Sequence, residues 1–168
     1  ILATHPSGGN DALEIRNPAK TDIVMGRVQH ATQQDVAQAA AACATAQAEW
    51  DKRGGPERGA ILRAMADGLE AAAPRLIALM ARETGKTLQD GIDEVREAVD
   101  FCRNYATEAE TKYAGPERLP GPSGETNHLS LHGRGVFGCI SPWNFPLAIF
   151  TGQIAAALAA GNTVLAKP

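Results

Sequence analysis

Two short stretches carry the residue types best suited to chemistry. Ser141-Pro142-Trp143-Asn144-Phe145-Pro146 sets a carboxamide between two prolines, and Thr163-Val164-Leu165-Ala166-Lys167 ends an apolar run on a cation. An asparagine side chain donates two hydrogens and stays neutral, so a rigid loop can aim it at a developing negative charge. The same side chain equally well caps a turn between two prolines. A lysine at the end of a buried strand is costly unless its amine reaches a partner or water. The three cysteines, Cys43, Cys102 and Cys139, fall in apolar surroundings, where a small buried thiol is the expected role. None forms a C-x-x-C pair, and the four histidines lie far apart without metal spacing. No metal site is therefore expected.

Two glycine strings imitate phosphate loops. Gly133-Arg134-Gly135-Val136-Phe137-Gly138 fits G-x-G-x-x-G, but these glycines precede a strand and no Asp or Glu occurs after Glu125. The dinucleotide fingerprint needs a strand before it, a helix after it and an acidic residue about twenty positions on. Gly85-Lys86-Thr87 ends like a P-loop, yet the position that needs the first glycine holds Met80. Both strings are rejected as nucleotide motifs.

The elements that must position Asn144 and Lys167 are legible around them. Val136 to Ile140 has the composition of a fully buried strand. Pro142 and Pro146 forbid a helix between them, and Pro146 suits the first turn of the next one. Leu147 to Ala160 is apolar nearly all round, as in a buried helix. Gly161-Asn162 closes it and Thr163 to Ala166 begins a second buried strand. Strand, helix and strand make a βαβ unit, with Asn144 and Lys167 at the carboxyl ends of its strands, where open α/β sheets bind ligands.

Upstream, turn material at Ser7-Gly8-Gly9-Asn10 and Asn17-Pro18 surrounds the β-like runs Leu13-Glu14-Ile15 and Ile23-Val24-Met25. Thr32 is an expected N-cap, with Asp35 in the first turn of a helix reaching Trp50. Pro56 opens a second helix with the stripe Ile61, Leu62, Met65 and Leu69. Pro74 restarts a third, which Gly85 stops. A fourth spans Thr87 to Lys112 with Ile92, Val95, Val99, Cys102 and Tyr105 on one face. Four such helices cover a sheet or pack as an antiparallel layer. Gly115 to Glu125 reads as loop, and Asn127 to His132 alternates like a strand with one apolar face. The organisation expected is 1–114 mainly helical, 115–135 loop and hairpin segment, and 136–168 the βαβ unit.

P-W-N-F-P before a buried helix, then G-N and a strand ending in K-P, resembles the aldehyde dehydrogenase superfamily. The string from Ser130 to Gln153, with R-E-T-G-K-T and V-R-E-A-V-D-F-C-R-N-Y-A upstream, is similar to one branch. That branch is the L-glutamate γ-semialdehyde (pyrroline-5-carboxylate) dehydrogenase module of bacterial proline utilisation A proteins. The resemblance implies an α/β fold: an N-terminal helical layer, the first strands of a Rossmann-like NAD-binding domain, and a β-hairpin for oligomerisation. For the hairpin, the residues alone equally support a plain edge strand.

The resemblance also implies roles. Asn144 is the oxyanion donor to the adduct formed when a thiol attacks an aldehyde. Phe145 and Ile149 line the aldehyde path. Lys167 bonds the adenosine ribose of NAD, and Ile140, Ser141, Pro142 and Trp143 contact that cofactor mostly through backbone. The implied reaction passes through a thiohemiacetal, hydride transfer to NAD and thioester hydrolysis. The nucleophilic cysteine and the family's glutamates fall on no residue of this chain, so the fragment alone is expected to be inactive. A proline dehydrogenase module with FAD, and peripheral membrane association, are implied elsewhere in such a protein. Another semialdehyde dehydrogenase and a non-catalytic assembly segment are the alternatives.

Composition bounds the rest. The chain has 168 residues, 44% hydrophobic and 21% charged, which are globular values. A net charge of −3 without a basic stripe argues against nucleic-acid binding. No apolar run approaches the length of a membrane span, the start is no signal peptide, and unpaired cysteines fit a reducing compartment, so the cytoplasm is expected. The missing initiator Met and the stop at Pro168 are those expected of an excised piece.

Overall fold

The computed structural model describes residues 12–168; the expected turn at Ser7 to Asn10 lies outside them. Strands β1 (Leu13–Asn17) and β2 (Lys20–Val28) form an antiparallel hairpin. Asn17 turns it, its Oδ1 accepting from the N–H groups of Ala19 and Lys20. Helix α1 (Gln33–Lys52) starts with a reciprocal capping box between Thr32 and Asp35. Helices α2 (Gly54–Ala71), α3 (Ala73–Glu83) and α4 (Leu88–Lys112) follow, the last capped by the Thr87 side chain.

The expected βαβ unit is present as β5 (Val136–Ile140), α5 (Ala148–Ala159) and β6 (Thr163–Lys167), with parallel strands running from Val136 opposite Thr163 to Ile140 opposite Lys167. Helix α1 joins β6 through two bonds, Thr163 Oγ1 to the Cys43 carbonyl (2.9 Å) and Cys43 Sγ to the Val164 carbonyl (3.4 Å). Helix α5 packs between this sheet and α4. The four N-terminal helices thus divide: α1 covers the sheet, while α2 and α3 pack on α4 behind α5. The α2–α4 crossing is close because its contact residues are small. A Cβ on Gly55 would fall 1.9 Å from the Ala109 carbonyl oxygen, and the Gly55 N–H donates to the Tyr113 carbonyl at 2.8 Å. Leu62, Ala66, Val95, Val99, Cys102, Ala106 and Ala155 fill the core between these helices.

Several expectations change on folding. Ile92 is exposed, because Gly91 is the residue that meets Ile77 of α3. The Gly115–Glu125 loop contains a strand, β3 (Glu117–Leu119), paired antiparallel with β4 (Asn127–Leu129). The alternating stretch therefore reads as a hairpin, shorter than expected, and its Leu119, Leu129 and Leu131 are exposed rather than turned to a core. Strand β5 is not fully buried. Only Cys139 is, because the sheet has two strands among the described residues and leaves Val136, Phe137 and Ile140 partly uncovered. Pro146 precedes α5 instead of occupying its first turn; Leu147 is the N-cap.

The approach to β5 is tied down by a polar junction. Asn162 is buried and its Oδ1 accepts from the N–H groups of Arg134 (2.5 Å) and Gly135 (3.0 Å). Asp51 accepts the Gly133 N–H at 2.8 Å, and the buried Arg58 donates to the carbonyls of Ala159 and Asp51. Gly161 adopts φ +87° at this junction, the left-handed backbone that its position after α5 requires.

Candidate functional site

The carboxyl ends of β5 and β6 are joined by more than the ladder. The Ser141 N–H and Oγ both donate to the Lys167 carbonyl, at 3.2 and 3.3 Å, and Ser141 is buried. Structure therefore brings together three of the expected cofactor residues, Ile140, Ser141 and Lys167. From this anchor the chain leaves the sheet through Pro142. Ile140 is 72% exposed and Trp143 81%, so apolar surface flanks the strand ends. Lys167 is exposed and its Nζ bonds the neighbouring Pro168 carbonyl oxygen.

The loop closes as a turn through its backbone, Phe145 N–H to the Pro142 carbonyl at 3.4 Å. Asn144 is exposed, and among the described residues its side chain makes no hydrogen bond. The carboxamide is thus not engaged in capping this turn. Ile149 lies in the first turn of α5, half-buried.

Beyond Phe145 a buried ion pair holds the loop. Glu94 of α4 is 1% exposed, and its Oε1 accepts from the N–H groups of Leu147 (2.7 Å) and Ala148 (3.2 Å). Lys86, 15% exposed, places Nζ 2.7 Å from Glu94 Oε2 and 4.6 Å from the centroid of the Phe145 ring. The ammonium meets Oε2 off the hydrogen-bonding direction, so this contact is chiefly ionic. A carboxylate so deeply buried persists only when paired and hydrogen-bonded, which the two backbone donors on Oε1 and the Lys86 ammonium beside Oε2 achieve.

Neither Lys86 nor Glu94 was expected from the sequence to belong to the site. The available signal was a carboxylate within the buried stripe of α4, one helical turn from Gly91 and Ala98.

The two rejected glycine strings have structural work instead. Gly133 packs so closely on Gly161 that a Cβ would fall 2.1 Å from its carbonyl oxygen. Lys86 is held by Glu94 and Phe145. Burial raises the pKa of the Cys102 and Cys139 thiols, which disfavours the reactive thiolate. Cys43 is half-buried and donates to a carbonyl. Among the described residues no cluster of His, Cys, Asp or Glu forms a metal site, and no helix is long and apolar enough to cross a membrane. An open groove of about 490 Å³ lies along β5 and α5, lined by Phe137, Cys139, Ile140, Gln153 and alanines of α5, and includes neither Asn144 nor Lys167.

Comparison with known proteins places this geometry. Over 167 residues the chain is 42% identical to the bifunctional protein PutA of Escherichia coli K12, covering 99% of this chain and 12% of that protein. It is 38% identical over 165 residues to the α-ketoglutaric semialdehyde dehydrogenase of Bacillus subtilis 168, covering 96% of this chain and 33% of that protein. The crystal structure of proline utilization A from Bdellovibrio bacteriovorus, inactivated by N-propargylglycine, superposes with a TM-score of 0.88 at 36% identity, over 93% of this chain and 16% of that one. The chain therefore spans a small part of the relatives it matches. The model of the aldehyde dehydrogenase family matches residues 5–168, and the α/β architecture agrees with it. The chain belongs to the aldehyde dehydrogenase family.

Proposed function

We propose that this chain is the N-terminal part of an NAD-dependent dehydrogenase that oxidises L-glutamate γ-semialdehyde to L-glutamate in proline catabolism. The observation that carries this reading is the Pro142–Pro146 loop. It leaves the carboxyl end of a parallel strand pair, is anchored on both sides, and presents an unengaged Asn144 carboxamide. Similarity to PutA along nearly the whole chain supports the proline-catabolic branch.

Asn144 donates to the oxygen that becomes negative when a thiolate adds to the aldehyde carbonyl. A neutral donor already fixed in place stabilises that charge without reorganising. Phe145 and Ile149 supply apolar walls for the aldehyde. The strand ends fit a dinucleotide: exposed apolar surface at Ile140 and Trp143 can meet a ring face, and the Lys167 amine can bond a ribose hydroxyl. Backbone groups of Ser141 and Pro142 complete that set. NAD, when bound, accepts the hydride. The nucleophile and general base come from other parts of the enzyme: burial raises the pKa of the Cys102 and Cys139 thiols, and the Cys43 thiol is bonded to the Val164 carbonyl. The β3–β4 hairpin serves oligomerisation; if the chain is part of a proline utilisation A protein, a proline dehydrogenase module with FAD and peripheral membrane association lie elsewhere in that cytoplasmic protein.

A second reading, oxidation of another semialdehyde, is favoured by the 38% identity to the α-ketoglutaric semialdehyde dehydrogenase. Steady-state assays of the complete enzyme with NAD separate the two. The proposal expects kcat/KM for glutamate semialdehyde to exceed that for α-ketoglutaric semialdehyde by roughly tenfold or more. The reverse order establishes the second reading. Absence of turnover with either, and with a panel of other semialdehydes, favours a non-catalytic assembly role. The 168-residue chain alone is the control expected to show none.

A further inference from the structure

Helix α5 begins without a cap of its own. Its N-cap is Leu147, preceded by Pro146, and neither side chain offers an acceptor. The acceptor comes from α4 instead, 53 residues earlier: Glu94 Oε1 takes the N–H groups of Leu147 and Ala148. Because Pro146 has no N–H, Leu147 carries the first donor after Phe145, so Glu94 grips the loop at its C-terminal exit. The partial positive charge at a helix start adds to this grip.

Lys86 extends the hold by two residues. Its ammonium neutralises Glu94 and stands over the Phe145 ring, directly next to Asn144 in the chain. At the other end, Ser141 is tied to the Lys167 carbonyl. Asn144 itself has no side-chain hydrogen bond among the described residues, so its direction is set by these flanking anchors.

We propose that Glu94, neutralised by Lys86, is a positioning residue that aims the Asn144 carboxamide by capping α5 from α4. This rests on the reading of Asn144 as the oxyanion donor. Its consequence is kinetic. Loosening the exit of the loop displaces the donor while leaving Ile140, Ser141 and Lys167, the cofactor residues tied at the strand ends, in place.

The test is a double-variant cycle in the complete enzyme, with kcat normalised to folded protein. Glu94→Ala is expected to lower kcat by about 10- to 100-fold, the cost of a small displacement of a reacting group. The NAD dissociation constant should stay within about twofold, since charge developing after binding is what is lost. Glu94→Gln keeps an acceptor oxygen at the same reach and should retain kcat within about fivefold. Combined with Asn144→Ala, Glu94→Ala should add little further loss, because both act through one amide.

The inference is overturned if Glu94→Ala leaves kcat near wild type, if Gln is as poor as Ala, or if the two losses multiply while Asn144→Ala alone behaves as an oxyanion variant. A flat Asn144→Ala removes the reading beneath it, and the inference falls with it. Should Glu94→Ala not fold, hydrogen exchange in the wild-type enzyme takes its place. The Leu147 and Ala148 amides must then be protected, and exchange at the rate of an open loop rules the cap out.

Discussion

Asn144 and Lys167 are the two residues on which the proposed chemistry turns, and the chain holds them in opposite ways. Asn144 sits between fixed points with its own side chain unengaged. Lys167 is fixed in the ladder opposite Ile140, with its side chain exposed. Lys167→Ala in the complete enzyme should therefore weaken NAD binding by about 1.5–3 kcal/mol, the worth of a charge-assisted hydrogen bond. At saturating NAD, kcat should hardly change. An unchanged NAD dissociation constant in a titration would make Lys167 an ordinary surface residue. Both residues were legible in the sequence because their signals are local, prolines around one and an apolar strand before the other. Glu94 was not, since the groups it serves are 53 residues away and nothing in its own neighbourhood reveals them.

At the scale of elements, the βαβ unit and the four long helices followed from caps, prolines and stripes that act within one turn. Thr32 caps where expected, and Thr87, read as the start of the fourth helix, is its N-cap, each accepting from the N–H three residues on. The hairpin was only half legible. Glu117-Arg118-Leu119 is too short for a pattern to show, and its pairing with Asn127 to Leu129 makes it a strand. Strand β5 was read as buried from composition, whereas burial depends on neighbouring strands that composition does not specify.

The energetics of the elements also separate two kinds of ion pair. Arg103 binds Glu70 and Asp67 across the α2–α4 surface, with all three side chains well exposed. Lys86 and Glu94 pair almost out of water. Lys86→Met should cost about 3 kcal/mol, because it strands a buried carboxylate. Arg103→Ala should cost at most about 1 kcal/mol. Chemical denaturation of both variants checks the order, and equal losses would contradict the account of how α4 holds α5.

Across the whole molecule, α1 covers the β5–β6 pair on one side and α5 with the α2–α4 layer packs on the other, the core lying among α2, α3, α4 and α5, and the proposed chemistry lies at the carboxyl edge of the sheet. The α/β class read from the sequence agrees with the fold. The remaining faces of the sheet are less well covered, with Val136, Phe137, Ile140 and Trp143 all exposed. Apolar surface of this extent beside a two-stranded sheet favours association. The isolated 168-residue chain should self-associate as its concentration rises in sedimentation experiments. A strictly monomeric, cooperatively unfolding chain at high concentration would show that the exposed face needs no cover.

The central claim is that the Asn144 carboxamide stabilises the oxyanion, and kcat of Asn144→Ala and Asn144→Asp in the complete enzyme tests it most directly. The account predicts that Ala lowers kcat by about 10²–10³ with NAD affinity nearly unchanged. Asp should be as poor or worse, since it places an acceptor and a negative charge where the oxyanion forms. Turn capping predicts the opposite order, with Asp restoring both the thermal midpoint and activity. An active, stable Asn144→Asp enzyme would contradict the account.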